Sequence, residues 1–221
     1  MSITPLHDQD EPLSLADRAF LQLQDRLIFL DIPPGAPLNE GRLSQELQLG
    51  RTPLREALKR LESERLVVTY SRRGTFATTV DITALSEISQ VREVLEPLAA
   101  RLAAERRGGD SRSQLEALRD RLASPGNERL PKDEALRWDV RIHRAIYAAA
   151  GNSHLQVTLE RYSNLATRIW CVVADRIPEL QEHITVHSAL LTAVLAGDAE
   201  EAGTIMLQHV QDFETQIRQV L

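Results

Sequence analysis

The spacing of apolar residues predicts two short helices, joined by a tight turn, between residues 43 and 66. In the second helix, Leu58 and Leu61 belong to one face and mark a buried stripe. This helix is expected to open at Thr52-Pro53, because threonine is a good N-cap and proline suits the first turn. The pattern therefore indicates a helix-turn-helix.

A β-hairpin is predicted directly after these helices. Residues 67–70 and 75–80 are rich in Val, Thr and aromatic residues, which favour strands. The segment between them, 71–74, has the sequence SRRG and reads as a turn in which Gly74 supplies backbone freedom. Two helices followed by a hairpin with a basic tip form the outline of a winged helix-turn-helix.

Beyond residue 80 the apolar spacing is helical throughout and carries no strand signal. Breaks rich in proline and glycine divide this part into about six helices. Pro97 lies inside the pattern of the first, long helix, so a kink is expected at 93–96. The predicted fold is mainly α, with a winged helix-turn-helix domain at 1–80 and an all-helical effector-binding bundle at 81–221.

Basic side chains are concentrated in the first domain, although the formal net charge of the chain is -6. Residues 41–80 contain eight basic side chains and four acidic ones. Cations on phosphates supply much of DNA affinity, and side chains at the start of a groove-bound helix read sequence. An ordinary solvated helix face is the alternative, which the basic hairpin tip disfavours. The predicted DNA contacts are Arg42, Arg51, Thr52, Arg55, Arg72, Arg73 and Gly74.

Residues 51–58, with the sequence RTPLREAL, closely resemble the DNA-binding domain of the GntR family of bacterial transcription regulators. Pro34-Gly35 before this octet and Arg73-Gly74 after it extend the resemblance over residues 15–80. Gly50 departs from the family pattern, in which Ser or Thr usually precedes the arginine, and this removes one hydroxyl contact to phosphate. The resemblance implies a protein that binds double-stranded DNA.

The amino-acid composition excludes few further classes of protein. The chain is 43% hydrophobic and 26% charged, which is ordinary for a globular protein. Because the sequence shows neither an apolar run of membrane-spanning length nor a signal-peptide pattern, a cytoplasmic protein without membrane contact is expected. The single cysteine, Cys171, lies in an apolar run and is interpreted as a buried, inert thiol.

Four polar residues interrupt apolar stripes in the second domain. Asp139 and His143 are four residues apart and share one helix face, while His187 and His209 each interrupt another stripe. A histidine on an apolar stripe is most often a satisfied core residue. Three on separate inward faces, with a carboxylate nearby, also suit Zn²⁺ or Ni²⁺. Spacing alone leaves both interpretations open.

These four residues and the helix end at 150–152 (AGN) resemble the FCD effector domain of the FadR subfamily, and about six helices resemble its VanR-type branch. The resemblance implies a homodimer and a small carboxylate effector. It also implies a divalent metal, zinc before nickel, held by Asp139, His143, His187 and His209. His183, one turn before His187, is a competing ligand.

Three further polar residues are predicted to bind the effector: Arg92, Asn164 and Arg168. Arg92 falls between apolar positions and can fork onto a carboxylate. The alternative is a surface arginine paired with Glu96 four residues on.

The predicted function is a ligand-responsive transcription regulator, not an enzyme, that binds an inverted-repeat operator as a dimer. Repression relieved by the ligand is the behaviour that the resemblance implies. One alternative is a metal-dependent hydrolase or oxygenase with a DNA-binding head, against which the sequence lacks a Glu-x-x-His pair. Another is a constitutive DNA binder with a structural metal.

Overall fold

The computed structural model describes residues 13–123, 131–177 and 180–221, with the side chains of 180–185 outside that description. Nine α-helices and three short β-strands are present in this part of the chain. The chain divides into two compact units, Met1–Val80 and Asp81–Leu221. The mainly helical fold class, with a small winged sheet in the first unit, is confirmed.

Three helices form the body of the first unit: α1 (Leu15–Ile28), α2 (Glu40–Glu46) and α3 (Arg51–Ser63). Ser14 and Asn39 cap α1 and α2, and each side chain accepts a backbone N–H from the third residue beyond it. The apolar stripe of α3 is buried, and α3 packs against α1. This packing fixes the orientation of α3 within the unit.

The start of α3 differs from the prediction. The helix begins at Arg51, and Gly50 is its N-cap in an extended conformation. Thr52 therefore lies in the first turn rather than at the cap, and among the described residues no side chain caps the helix. Because the first backbone N–H groups of a helix lack intrahelical partners, an uncapped start can donate them to a phosphate.

The wing is a three-stranded antiparallel sheet in the order β1-β3-β2: β1 (Pro37–Leu38), β2 (Val67–Tyr70) and β3 (Gly74–Ala77). The register of the hairpin runs from Val67 opposite Ala77 to Tyr70 opposite Gly74. The predicted return strand is thus shorter than expected and ends at Ala77. A two-residue strand such as β1 carries no alternation in sequence, which explains why it was not predicted.

The tip of the wing depends on two residues with positive φ. Arg72 has φ 64° and Gly74 has φ 94°. A Cβ at Gly74 would meet no atom within 4 Å, so the backbone conformation rather than crowding favours glycine there. The turn projects Arg72 and Arg73 into solvent.

Six α-helices build the described part of the second unit: α4 (Leu85–Glu105), α5 (Arg112–Leu122), α6 (Lys132–Ala149), α7 (Ser153–Val173), α8 (Leu180–Ala196) and α9 (Ala199–Val220). Helix α4 is central, since it contacts α6, α7, α8 and α9. Ala99, Ala100, Ala103 and Ala104 of α4 are fully buried and let its neighbours approach closely. Helix α4 runs past Pro97 as one element, and the kink stays a prediction.

Within the part of the chain that the structure covers, none of the helices has both the length and the apolar character needed to cross a membrane.

Candidate metal centre and DNA-binding surface

All seven predicted DNA contacts are exposed. Arg51 and Thr52 lie in the uncapped first turn of α3, and Arg55 follows one turn later. Arg72 and Arg73 lie at the tip of the wing, just before β3. The start of α3 and the tip of the wing therefore both present cationic side chains to solvent.

Two of these arginines are held by neighbouring carboxylates. Arg55 Nε donates to Glu40 Oε2 at 2.8 Å, and Arg42 Nε donates to Glu46 Oε1 at 2.6 Å. Exposed ion pairs are worth little, so both arginines can exchange a carboxylate for a phosphate at small cost. Arg51, in contrast, forms no ion pair with any described residue and is open to a ligand.

Four polar side chains meet inside the second unit. Asp139 and His143 come from α6, His187 from α8 and His209 from α9. Each is at most 4% exposed, and one potential ligand atom from each lies within 4.8 Å of all the others. The structure therefore brings together the four residues that the sequence proposed as metal ligands.

The separations of these atoms fit a metal ion. Nε2 of His143 and Nε2 of His209 are 3.0 Å apart. Asp139 Oδ1 lies 3.6, 3.5 and 3.7 Å from Nε2 of the three histidines. Tetrahedral zinc with bonds of roughly 2.0–2.2 Å places its ligand atoms about 3.3–3.6 Å apart. The distances from Asp139 to the three histidines are close to that spacing, and all four ligand atoms lie within 4.8 Å of one another.

A second layer of polar groups surrounds His143. Its Nδ1 atom lies 2.9 Å from Glu96 Oε2 and 3.1 Å from the hydroxyl of Tyr147. Glu96 Oε1 in turn accepts a 2.5 Å hydrogen bond from Arg92 Nε. Burial by itself would raise the pKa of Glu96, but the charges of Arg92 and His143 outweigh it and lower this pKa to about 2. Glu96 is therefore ionised at neutral pH.

The protonation of His143 is sensitive to the same charges. Burial acts to lower the pKa of His143, but Glu96 and Asp139 outweigh burial and raise this pKa above its ordinary value. A metal ion at this position therefore competes with a proton for His143.

Arg92 is enclosed rather than exposed. The residue is 3% accessible, and its Cζ atom lies 4.9 Å from the centre of the Phe213 ring. Its Nη1 atom has no hydrogen-bond partner among the described residues. The pairing with Glu96 that the sequence allowed does form, but the surface position assumed for it is wrong. Phe213 was not recognised, because its apolar spacing is that of any core residue.

The other predicted effector residues are also buried. Asn164 Oδ1 accepts a 3.1 Å hydrogen bond from Arg144 Nη2. Arg168 is 2% exposed, and burial lowers its pKa to about 10. A role for Asn164 and Arg168 in effector binding stays a prediction. The side chain of His183 lies outside the described part of the chain.

Cys171 is partly exposed on α7, and its predicted full burial is wrong. The residue occupies a helix position beside the exposed Val172, which the apolar run in the sequence did not reveal.

Comparison with known proteins identifies both units. Residues 15–77 match the family described as bacterial regulatory proteins, gntR family, and residues 87–212 match the FCD domain. The transcriptional repressor GlaR of Escherichia coli is 30% identical over 198 residues, which cover 85% of this chain and 89% of GlaR. The Nta operon transcriptional regulator of Aminobacter aminovorans is 29% identical over 191 residues, covering 85% and 87% of the two chains.

A solved structure of E. coli McbR/YncC has the same fold. It superposes with a TM-score of 0.80 at 25% identity and covers 94% of this chain and 99% of that one.

The fold and the exposed basic surface thus define a DNA-binding transcription regulator with a separate helical domain. The chain belongs to the GntR family, in the group whose second domain is an FCD domain. The matched family members are regulators, several of them named as repressors, and not enzymes. The enzymatic alternative is therefore set aside.

Proposed function

We propose that the protein regulates transcription in response to a small carboxylate that binds at a divalent metal ion, zinc before nickel. The ion would be held by Asp139, His143, His187 and His209 and would supply positive charge and a coordination position for a carboxylate oxygen. The convergence of these four buried side chains, from three different helices, is the observation that carries the proposal.

The balance of buried charge supports a metal-dependent anion site. Asp139 and Glu96 are negative and Arg92 is positive, so the metal-free centre has a net charge of −1 with neutral histidines and of zero when His143 is protonated. In either state an incoming acid would add an uncompensated negative charge to a buried site, which is unfavourable. Two positive charges from a divalent ion would reverse the balance and make the centre attractive to an anion.

Arg92 supplies the second part of this argument. Its guanidinium has one edge engaged with Glu96 and, at Nη1, a donor without a partner among the described residues. A buried donor without a partner is costly, and a carboxylate oxygen would relieve that cost. We therefore place the effector carboxylate against Arg92.

A purely structural metal is the second candidate, and one observation favours it. Four protein ligands are the number found in closed structural zinc sites, whereas catalytic sites usually keep one position open. Calorimetric titration of the zinc-loaded and the chelated protein with mono-, di- and hydroxy-carboxylates separates the two functions. Binding that requires zinc supports the effector site, whereas no binding in either state supports the structural metal.

We also propose that the protein acts as a homodimer that reads an inverted repeat. A two-fold symmetric dimer would present two α3 helices, and such an arrangement suits half-sites one helical turn apart. Relatives named as repressors support repression as the output, with release by the effector. An electrophoretic mobility shift with fragments carrying one or two half-sites tests this arrangement.

A self-complementary surface on α4 is our candidate for the dimer contact. Val94 is 70% exposed, and Leu98, one turn further on, is also exposed. Glu87 and Arg101 each lie seven residues from Val94, or about 10 Å along the helix axis. If two α4 helices cross antiparallel at Val94, Glu87 of each meets the partner subunit's Arg101. Among the described residues of its own chain, Arg101 has a single long ion-pair contact, of 4.0 Å, to Glu200.

A further inference from the structure

Glu96 lies between Arg92 and His143 in the buried centre. It was predicted neither as a metal ligand nor as an effector-binding residue. It is fully buried on α4, one turn after Arg92. One carboxylate oxygen, Oε1, accepts from Arg92 Nε, and the other, Oε2, lies 2.9 Å from His143 Nδ1. Oε1 is thus paired with Arg92, whereas Oε2 forms no well-aligned hydrogen bond with any described residue and has His143 Nδ1 within reach.

The two ring nitrogens of His143 face different surroundings. Nδ1 faces Glu96 and Tyr147, while Nε2 faces Asp139 and His209. A neutral imidazole carries one N–H, and only the other nitrogen can bind a metal. The group at Nδ1 therefore decides whether Nε2 is available.

Glu96 and Tyr147 compete as hydrogen-bond partners of Nδ1. The hydroxyl of Tyr147 can donate to Nδ1, which would leave the proton on Nε2 and close the metal face. An ionised carboxylate can only accept, so it requires the proton on Nδ1. The shorter contact is to Glu96, at 2.9 Å against 3.1 Å for Tyr147, and the ion pair of Oε1 with Arg92 favours the ionised carboxylate.

We propose that Glu96 is the positioning residue of the metal centre: it accepts the Nδ1 proton of His143 and so turns the Nε2 lone pair toward Asp139, His187 and His209. The inference rests on the metal site of the proposed function. Carboxylates that orient a ligating histidine in this way typically change metal affinity about 10- to 100-fold.

Zinc affinity of the full-length protein, measured by competition with a chelator, tests the proposal. Glu96→Gln keeps the size of the side chain and removes the acceptor-only carboxylate, and zinc affinity should fall about 10- to 100-fold. Glu93→Gln, on the same helix and half-buried, is the matched control and should bind zinc as the unmodified protein does. Because Glu96→Gln leaves the charge of Arg92 uncompensated, Arg92→Gln/Glu96→Gln provides a variant without that charge and should show the same loss.

A spectroscopic readout separates positioning from a general loss of stability. In the zinc-loaded protein the His143 Nδ1 proton, shared with a carboxylate, should give a downfield ¹H signal that moves upfield in Glu96→Gln. If the unmodified protein binds zinc tightly and both Glu96 variants bind it equally well, the positioning role is overturned. The proposed function would remain intact in that case. An unmodified protein that binds no zinc at the four residues would instead overturn the proposed function.

Discussion

Nε2 of His143 lies 3.0 Å from Nε2 of His209, although the two residues are 66 positions apart in sequence. Two imidazole nitrogens at this distance cannot both carry a proton, and two bare lone pairs would repel each other, so a shared proton or a cation between them is favoured. The fully buried position of the pair leaves no bulk water to take that role. This contact is the core of the proposed metal centre.

Replacement of His209 should therefore lower metal content. His209→Ala removes one of four ligands, and we expect elemental analysis of the purified protein to fall from one zinc per chain to well below half. DNA binding by the effector-free protein should remain, because α3 and the wing belong to the other unit. His154→Ala, at an exposed position on α7, is the control and should keep its zinc. Full zinc content in His209→Ala would show that His209 is not a ligand.

Arg92 should govern the affinity for the effector. Arg92→Gln removes a charged donor, and charge-assisted hydrogen bonds are worth about 1.5–3 kcal/mol, or roughly tenfold or more in affinity. Calorimetry with a carboxylate that binds the zinc-loaded protein measures this loss. The exposed Arg18→Gln should bind the acid normally. Equal acid affinity in Arg92→Gln would place the effector elsewhere.

Arg51 should contribute to specific DNA recognition. It stands in the first turn of α3 without an ion pair among the described residues, and an arginine that forks onto a guanine edge discriminates by about 1–3 kcal/mol. Arg51→Ala should lose affinity for the operator while its affinity for unrelated DNA falls much less, as measured by fluorescence anisotropy at fixed salt.

For this experiment Arg18→Ala, on α1, is the matched exposed control. A uniform loss on all DNA sequences, with a salt slope reduced by about one, would assign Arg51 to a phosphate instead of a base.

The charge pattern of α4 predicts a compensating pair of substitutions. Arg101→Glu places like charges opposite each other in an antiparallel α4 contact and should weaken the dimer in sedimentation velocity. Adding Glu87→Arg reverses both charges and should restore the dimer. Glu105→Arg, on the same exposed face but outside the pairing, should leave the dimer unchanged. If the double variant dimerises no more strongly than Arg101→Glu, this contact is ruled out.

The sequence was sufficient for the fold class and for the choice of the four candidate metal ligands that the structure brings together, and the reasons are physical. Helical periodicity identified the inward faces, and Asp139 and His143, four residues apart, necessarily share one of them. His187 and His209 were recognisable because polar residues are costly on apolar stripes. What brought them to a common point is the packing of α8 and α9 against α4 and α6, and periodicity does not specify such packing.

Other features depended on contacts that sequence does not encode locally. Gly50 rather than Thr52 is the N-cap residue of α3, where it adopts an extended conformation. The role of Glu96 was hidden because a glutamate four residues after an arginine is a common surface pair. Its partner His143 lies on a different helix, and only the folded bundle brings them together.

Thermal melting of the zinc-loaded protein against a panel of small mono-, di- and hydroxy-carboxylates tests the central claim most directly. A ligand present at about 100 times its dissociation constant stabilises the folded state by roughly 2.7 kcal/mol, which is easily detected. We predict a selective rise in melting temperature with one class of acid that disappears after chelation of the metal and in Asp139→Asn. A rise that persists without metal, or no rise with any acid in the folded and zinc-loaded protein, would contradict a metal-dependent carboxylate site.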